Sequence, residues 1–150
     1  MAEDTLQNIE NIFSGAAADT LTGDGLANVL AGGLGNDTLD GGLGQDAFVF
    51  NTALTGTSNT DTISDYVVLD DTIRLENGVF TTLIKTGVLA ENAFQDLSLG
   101  AADTNDRIIY NRTTGALFYD ADGSASGASA IQFTIISNNA VLTNADFLVI

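Results

Sequence analysis

Residues 32–49, GGLGNDTLDGGLGQDAFV, contain the same nine-residue pattern twice, at 32–40 and at 41–49. In each copy glycine occupies the first, second and fourth positions, aspartate the sixth and a large apolar residue the eighth. Counting back in nines gives two eroded copies, 14–22 and 23–31. The sixth position of the four copies reads Asp19, Asn28, Asp37 and Asp46. The eighth position is always large and apolar: Leu21, Leu30, Leu39 and Phe48. An apolar residue held in phase predicts stacked repeats and argues against a flexible glycine-rich linker.

Each copy predicts a loop followed by a short strand. Neighbouring glycines allow the loop backbone to curl and to turn its carbonyl oxygens toward one point. The three residues after the aspartate form a strand whose central apolar side chain faces inward. Two copies then make one coil of 18 residues, so Leu21 should lie over Leu39 and Leu30 over Phe48. A fifth, degenerate copy at 5–13 suggests an N-terminal cap at 1–13.

Stacking places the aspartates of successive coils close together. Neighbouring strands are about 4.8 Å apart, and two carboxylates about 5 Å apart repel by about 3 kcal/mol at an effective dielectric constant near 20. A cation between the carboxylates would remove this repulsion. Carbonyl and carboxylate oxygens are the ligands of hard cations, and calcium accepts crowded, flexible oxygen cages better than magnesium does. The repeat therefore predicts a calcium site.

The pattern resembles the glycine- and aspartate-rich nonapeptide of the RTX (repeats-in-toxin) family. This resemblance implies a parallel β-roll with calcium held between the loops of successive coils. Its first site would join residues 15–19 to residues 33–37. There the resemblance assigns Asp19 and Asp37 as carboxylate ligands, and Gly33 and Gly35 as sources of carbonyl oxygens.

The second site implied by the resemblance would join residues 23–28 to residues 41–46, with Asp46, Gly42 and Gly44 as ligands. Asn28 stands there in place of the expected aspartate, which predicts weaker binding unless Asp24 compensates. The full set of candidates in the four copies is Gly15, Ala17, Asp19, Gly23, Gly25, Asn28, Gly32, Gly33, Gly35, Asp37, Gly41, Gly42, Gly44 and Asp46.

The ninefold phase is lost after Val49, so the outer faces of the last two loops need other ligands. Asp61 and Asp65, in NTDTISDY, are the nearest candidates, with ordinary turn residues as the competing interpretation. Asp120 and Asp122 alternate as in the first half of a calcium loop, but a hairpin turn with Asp-Gly at its tip is favoured. Turns are also the favoured interpretation of the remaining acidic pairs, Asp70 with Asp71 and Asp103 with Asp106.

The segment 51–150 is not repetitive and has the composition of short strands separated by polar turns. Strands are predicted at 61–64, 72–76, 107–111, 116–119, 130–137 and 147–150, with one or two helical turns at 89–95. The predicted fold is all-β: a short parallel β-roll at 14–50 packed directly on a β-rich C-terminal cap at 51–150.

Composition excludes several classes of function. The formal net charge is −16, and 16 of the 20 acidic residues are aspartate, so binding to nucleic acid or to an anionic membrane surface is not expected. The chain has no His and no Cys, which removes most zinc sites and the usual triad base. No apolar run approaches the length of a membrane span. We therefore expect no catalytic activity and no membrane insertion.

The last residues carry a second resemblance. Asp146 is followed by four apolar residues, 147–150, and this pattern is similar to the C-terminal signal of proteins exported by type I secretion machinery. A final buried strand is a compatible interpretation. The resemblances together imply a secreted, monomeric calcium-binding module of a larger bacterial protein, with its signal at 140–150. The alternative is an accessory module that binds polysaccharide or surfaces, for which only four basic residues are present: Arg74, Lys85, Arg107 and Arg112.

Overall fold

The computed structural model describes residues 9–123 and 130–150, which form an all-β fold of two mixed sheets with no α-helix in these ranges. The strands are β1 Asn11–Phe13, β2 Thr20–Thr22, β3 Val29–Ala31, β4 Thr38–Asp40, β5 Ala47–Phe50, β6 Asp61–Ile63, β7 Thr72–Leu75, β8 Gly87–Val88, β9 Phe94–Asp96, β10 Ile108–Asn111, β11 Ala116–Tyr119, β12 Ile131–Ile136 and β13 Phe147–Val149. Two 3₁₀ helices, Glu91–Ala93 and Asn144–Asp146, precede β9 and β13.

The first seven strands alternate between the two sheets. One sheet has the order β1-β3-β5-β7-β13-β8, and the other has the order β2-β4-β6-β12-β11-β10-β9. Strands of successive coils pair in parallel, with Leu21 opposite Leu39 and Leu30 opposite Phe48. The predicted stacking of these apolar residues is therefore confirmed.

Both sheets continue past residue 50 without interruption. β6 pairs in parallel with β4, placing Ile63 beside Leu39, and β7 pairs with β5, placing Ile73 beside Phe48. The ninefold phase breaks after Val49, but the coil resumes once extra residues have been inserted into each loop. The backbone of Asp37 hydrogen-bonds a residue 24 positions onward instead of 18.

The second half of the chain extends the same two sheets. The six strands predicted after residue 51 are all present with boundaries within one residue, and the predicted helical turn is the short 3₁₀ helix Glu91–Ala93. The sequence analysis missed β8 and β9, which are only two and three residues long. The hairpin of β11 and β12 is antiparallel as expected. Residues 124–129 of its connection lie outside the described residues, as does 1–8 of the expected N-terminal cap.

One hydrophobic core lies between the two sheets. The inward-facing residues of the coils, Leu30, Leu39, Phe48, Ile63 and Ile73, are fully buried in it. Aromatic rings extend this core toward the C-terminal half: Phe80 packs edge to face on Tyr119 and on Phe133, with ring centroids 5.0 and 5.2 Å apart. The coils and the later strands thus share one core.

The last described strand is interior to its sheet. β13 lies between β7 and β8, and its residues Phe147 and Val149 are buried. Thr143 and Asp146 form a reciprocal capping box at the 3₁₀ helix that leads into it. The interpretation of this segment as a buried strand is confirmed. Among the described residues, no helix is long and apolar enough to cross a membrane.

Candidate metal centre

The loops between strands stack into two columns, one at each edge of the coils. The first loop column consists of loops 14–19, 32–37 and 51–60, which precede β2, β4 and β6. The second loop column consists of loops 23–28, 41–46 and 64–71, which precede β3, β5 and β7. In both columns the backbone of the second coil's loop contacts the backbone of the first coil's loop.

Glycine permits this contact because the loop backbones come too close for a side chain. Gly33 has a φ of +84°, and a Cβ atom added there would lie 2.2 Å from the carbonyl oxygen of Gly15. That oxygen accepts a hydrogen bond of 2.9 Å from the backbone N–H of Leu34. Gly42 repeats the arrangement in the second loop column, with a φ of +85° and an added Cβ 2.2 Å from the carbonyl oxygen of Asp24.

Asp37 holds an unpaired carboxylate oxygen in the first loop column. Its side chain is buried, and its Oδ1 accepts a hydrogen bond of 2.8 Å from the backbone N–H of Asp19, one coil upstream. Its Oδ2 is buried and has no hydrogen-bond partner among the described residues. On the other side, Oδ1 of Asp61 accepts a hydrogen bond of 3.1 Å from the backbone N–H of Asp37. A buried carboxylate oxygen without a partner is energetically unfavourable unless a cation or a donor reaches it.

Asp46 repeats this arrangement in the second loop column. Its Oδ1 accepts a hydrogen bond of 2.7 Å from the backbone N–H of Asn28, and its buried Oδ2 has no partner among the described residues. Oδ1 of Asp71 accepts a hydrogen bond of 3.0 Å from the backbone N–H of Asp46. The two columns therefore present the same unpaired oxygen at equivalent positions of the repeat.

Both polar atoms of the Asn28 amide group are hydrogen-bonded within the protein. Its Oδ1 accepts a hydrogen bond of 2.9 Å from the backbone N–H of Asp24, and its Nδ2 donates one of 3.0 Å to the carbonyl oxygen of Ile9. The substitution of asparagine for aspartate thus removes one charge and fixes the amide between two loops.

Burial and mutual repulsion disfavour the ionised carboxylates. Burial is the main cause that raises the pKa of Asp46 to about 6, and the charges of Asp71, Asp65 and Asp24 raise it further. Burial likewise raises the pKa of Asp61 to about 7; the hydrogen bond from the backbone N–H of Asp37 opposes this rise, and the charge and side chain of Asp37 add to it. The pKa values of Asp37 and Asp71 are also raised, mainly by burial. These loops lack positive charge to match their carboxylates, which is the condition that favours a bound cation.

In calcium-free buffer we expect the stability of the protein to fall as the pH rises from about 5 to about 8. The pKa of Asp61 rises from its ordinary 3.8 to about 7 on folding, so the folded state holds a proton that the unfolded chain has released. This contribution is complete below pH 3.8 and is lost as the pH passes through the folded value. Thermal melts at several pH values measure it.

The control for this pH dependence is Asp61→Asn, which keeps an oxygen to accept the hydrogen bond from the backbone of Asp37 but cannot ionise. Its melting temperature should vary less between pH 5 and pH 8 than that of the natural chain. A calcium-free melting temperature that climbs steadily over this range in both proteins would contradict the expected sign.

The structure brings the predicted site residues together in two groups. Gly15, Ala17 and Asp19 lie against the loop that carries Gly32, Gly33, Gly35 and Asp37. In the second column, the loop with Gly23, Gly25 and Asn28 lies against the loop with Gly41, Gly42, Gly44 and Asp46. Asp61 lies beside Asp37, and Asp65 accepts hydrogen bonds from the backbone of Gly41 and Gly42.

Asp71 is a member of the second loop column that counting in nines does not identify. The prediction of an ordinary turn residue is corrected here, because the carboxylate of Asp71 is buried between the backbone N–H groups of Asp46 and Val67. The available signal was the tripeptide Asp-Thr-Ile, which occurs at 61–63 and again at 71–73 and matches the sixth to eighth positions of the repeat. The two insertions differ in length, so counting in steps of nine residues does not reveal this match.

Asp103, Asp106 and Asp120 serve local turns. Oδ2 of Asp106 accepts a hydrogen bond of 2.6 Å from the backbone N–H of Asp103, and Oδ1 of Asp120 accepts one of 3.0 Å from Gly123. The turn interpretation of these residues agrees with these contacts. Within 9–123 and 130–150, no three acidic side chains converge as a metal cluster, so a cation in the loop columns would need backbone carbonyl oxygens as well.

Comparison with models of known protein families and with curated proteins gave no match to this chain.

Proposed function

We propose that this chain is a calcium-binding module of the RTX class, in which coils 9–50 form a short parallel β-roll. One site would join loops 14–19 and 32–37, and the other would join loops 23–28 and 41–46. The observation that carries the proposal is the pair of buried, unpaired oxygens, Oδ2 of Asp37 and Oδ2 of Asp46. Their equivalent positions in the repeat support a common ligand over two unrelated defects of packing.

The donor set of these loops favours calcium. Oxygen is the only type of ligand atom there, supplied by carboxylates and by backbone carbonyls such as those of Gly15 and Asp24, which the glycine loops approach closely. Calcium tolerates irregular oxygen cages, whereas magnesium demands octahedral geometry and retains its water. A bound divalent ion would neutralise the carboxylates whose charges, together with the larger effect of burial, raise the pKa of Asp46.

The physiological role that follows is a folding switch. Where calcium is scarce, carboxylate repulsion would lower the stability of the coils and so favour the unfolded chain that threads through an exporter. Outside the cell calcium is millimolar. Where the calcium concentration is about 100 times the dissociation constant of a site, each independent site adds about 2.7 kcal/mol to the free energy of unfolding. We therefore propose a secreted, monomeric module of a larger bacterial protein, with no enzymatic activity of its own.

A calcium titration followed by circular dichroism tests this function. The natural chain should gain β signal and thermal stability with calcium but not with equal magnesium, and Asp37→Asn and Asp46→Asn should each shift the midpoint at least about tenfold to higher calcium. Asp103→Asn is the matched control, because it removes the same charge at an exposed turn outside the loop columns. Identical spectra and melting temperatures in EDTA and in calcium would refute the proposal.

We also propose that residues 140–150 serve as an export address while the chain is unfolded. Truncation is a poor test, because β13 is an interior strand and its loss would unfold the sheet. A reporter fused before the intact chain, expressed with a type I exporter, is the better test. The variant Ile150→Ser changes a side chain that is 37% exposed, and Leu69→Ser changes one that is 91% exposed. Equal export of both variants would argue against the address.

One observation favours the alternative function, binding of a polysaccharide. A cavity of about 300 Å³ is lined by Lys85 and Arg107, two of the four basic residues, together with apolar residues such as Leu83, Val88 and Leu89. Its charge suits a carboxylated sugar. Retention of the chain on a polyuronate gel, lost in Lys85→Gln and kept in Arg112→Gln, would support this function.

A further inference from the structure

In the second loop column, the two carboxylates that loop 64–71 places against loop 41–46 have no unpaired oxygen. Asp65, in loop 64–71, accepts hydrogen bonds of 3.0 and 2.7 Å from the backbone N–H groups of Gly41 and Gly42, one on each oxygen. Asp71 likewise uses both oxygens, which accept from the backbone N–H groups of Asp46 and Val67 at 3.0 and 2.8 Å. The unpaired oxygen of Asp46 contrasts with these four satisfied ones.

In the first loop column, a hydroxyl group and an amide group of loop 51–60 contact loop 32–37. The hydroxyl of Thr52 donates a hydrogen bond of 2.7 Å to the carbonyl oxygen of Gly33, and Oδ1 of Asn59 accepts one of 2.9 Å from the backbone N–H of Gly35. The amide of Asn59 is buried and also donates to Thr52 and to the carbonyl oxygen of Ala53. On this side of loop 32–37 the hydroxyl of Thr52 thus faces a carbonyl oxygen, and the amide oxygen of Asn59 faces a backbone N–H group.

The side chain of Asn36 adds a second bridge in the first loop column. Its Nδ2 donates a hydrogen bond of 3.2 Å to the carbonyl oxygen of Thr57, and its Oδ1 accepts one of 2.9 Å from the backbone N–H of Thr60. Both partners belong to the inserted loop 51–60. The residues inserted after the ninefold repeat therefore hydrogen-bond the side of loop 32–37 that faces the next coil, which is the downstream face of this loop.

We infer that insertions 51–60 and 64–71 close the downstream faces of loops 32–37 and 41–46 without a metal ion, so that the two loop columns bind at most two calcium ions. This inference rests on the proposed function. It gives Asp65 the role of a hydrogen-bonded closure in place of the ligand role that the sequence suggests. The N–H group that points at each of these carboxylate oxygens occupies one of its lone pairs, and its partial positive charge disfavours a cation on the same oxygen. The insertions then end the calcium-binding stack.

The number of calcium ions bound to the full chain at saturation tests the inference, measured by equilibrium dialysis and atomic emission. Two or fewer ions per chain, with the number unchanged in Asp65→Asn, supports it. Three or more ions, or the loss of one ion in Asp65→Asn, overturns it and leaves the proposed function intact. No bound calcium at all overturns the proposed function instead.

A second variant keeps the test decisive should Asp65→Asn fail to fold. Thr52→Val removes only the hydroxyl that donates to the carbonyl oxygen of Gly33. The number of bound ions should stay the same, while the melting temperature falls in calcium and in EDTA alike. An additional bound ion in Thr52→Val would show that the hydroxyl excludes a cation from an otherwise competent site, and would overturn closure by the insertion as a whole.

Discussion

Replacing Phe48 by alanine should lower the free energy of unfolding by about 3–5 kcal/mol. The ring is fully buried, lies opposite Leu30 and Ile73 on the two neighbouring strands, and packs on Tyr66 with ring centroids 6.1 Å apart. Removing it leaves a cavity at the point where the repeated coils join the later strands. Urea denaturation in saturating calcium measures the loss.

Phe13→Ala is the matched control for Phe48→Ala, because it deletes the same ring from a position that is 64% exposed at the outer strand β1. Its unfolding free energy should stay within about 0.5 kcal/mol of that of the natural chain. Equal losses of unfolding free energy in the two variants would show that Phe48 does not contribute to the core.

Replacing Gly42 by alanine should lower the unfolding free energy by about 2–4 kcal/mol, with or without calcium. The left-handed backbone of this residue disfavours any side chain by about 1–2 kcal/mol. The added methyl group would also lie 2.2 Å from the carbonyl oxygen of Asp24, so loops 23–28 and 41–46 must move apart. Melting temperatures in EDTA and in calcium measure the effect.

Gly25→Ala is the control for Gly42→Ala, because it adds the same methyl group in the facing loop, where no atom lies within 4 Å. Its stability should be unchanged or slightly higher, since alanine restricts the unfolded chain more than glycine does. A stability loss in Gly25→Ala equal to that in Gly42→Ala would mean that glycine matters for flexibility and not for the close approach.

The sequence predicted the part of the fold that follows from local repetition. The nine-residue period identified the coil, and the alternation of apolar residues gave the pairs of Leu21 with Leu39 and Leu30 with Phe48 that the register contains. Short apolar runs bounded by polar turns located six later strands. These features are visible because each depends on residues close together in the chain.

The remainder depends on contacts that sequence spacing does not encode. The pairings of β6 with β12 and of β7 with β13 join segments more than 70 residues apart, and nothing in either partner specifies the other. The nine-residue period does not identify Asp71, because the insertion before it differs in length from the one before Asp61. Whether a carboxylate oxygen is paired or unpaired, as for Asp65 and Asp46, is decided by the neighbouring coil.

The two kinds of strand pairing give the molecule two timescales of folding. A coil that pairs with its neighbour 18 residues away closes a short loop, and the entropy of closing a loop grows with its length. The pairings of β12 and β13 require long closures and raise the contact order, which slows folding. We therefore expect docking of these two strands to be slower than closure of the repeated coils.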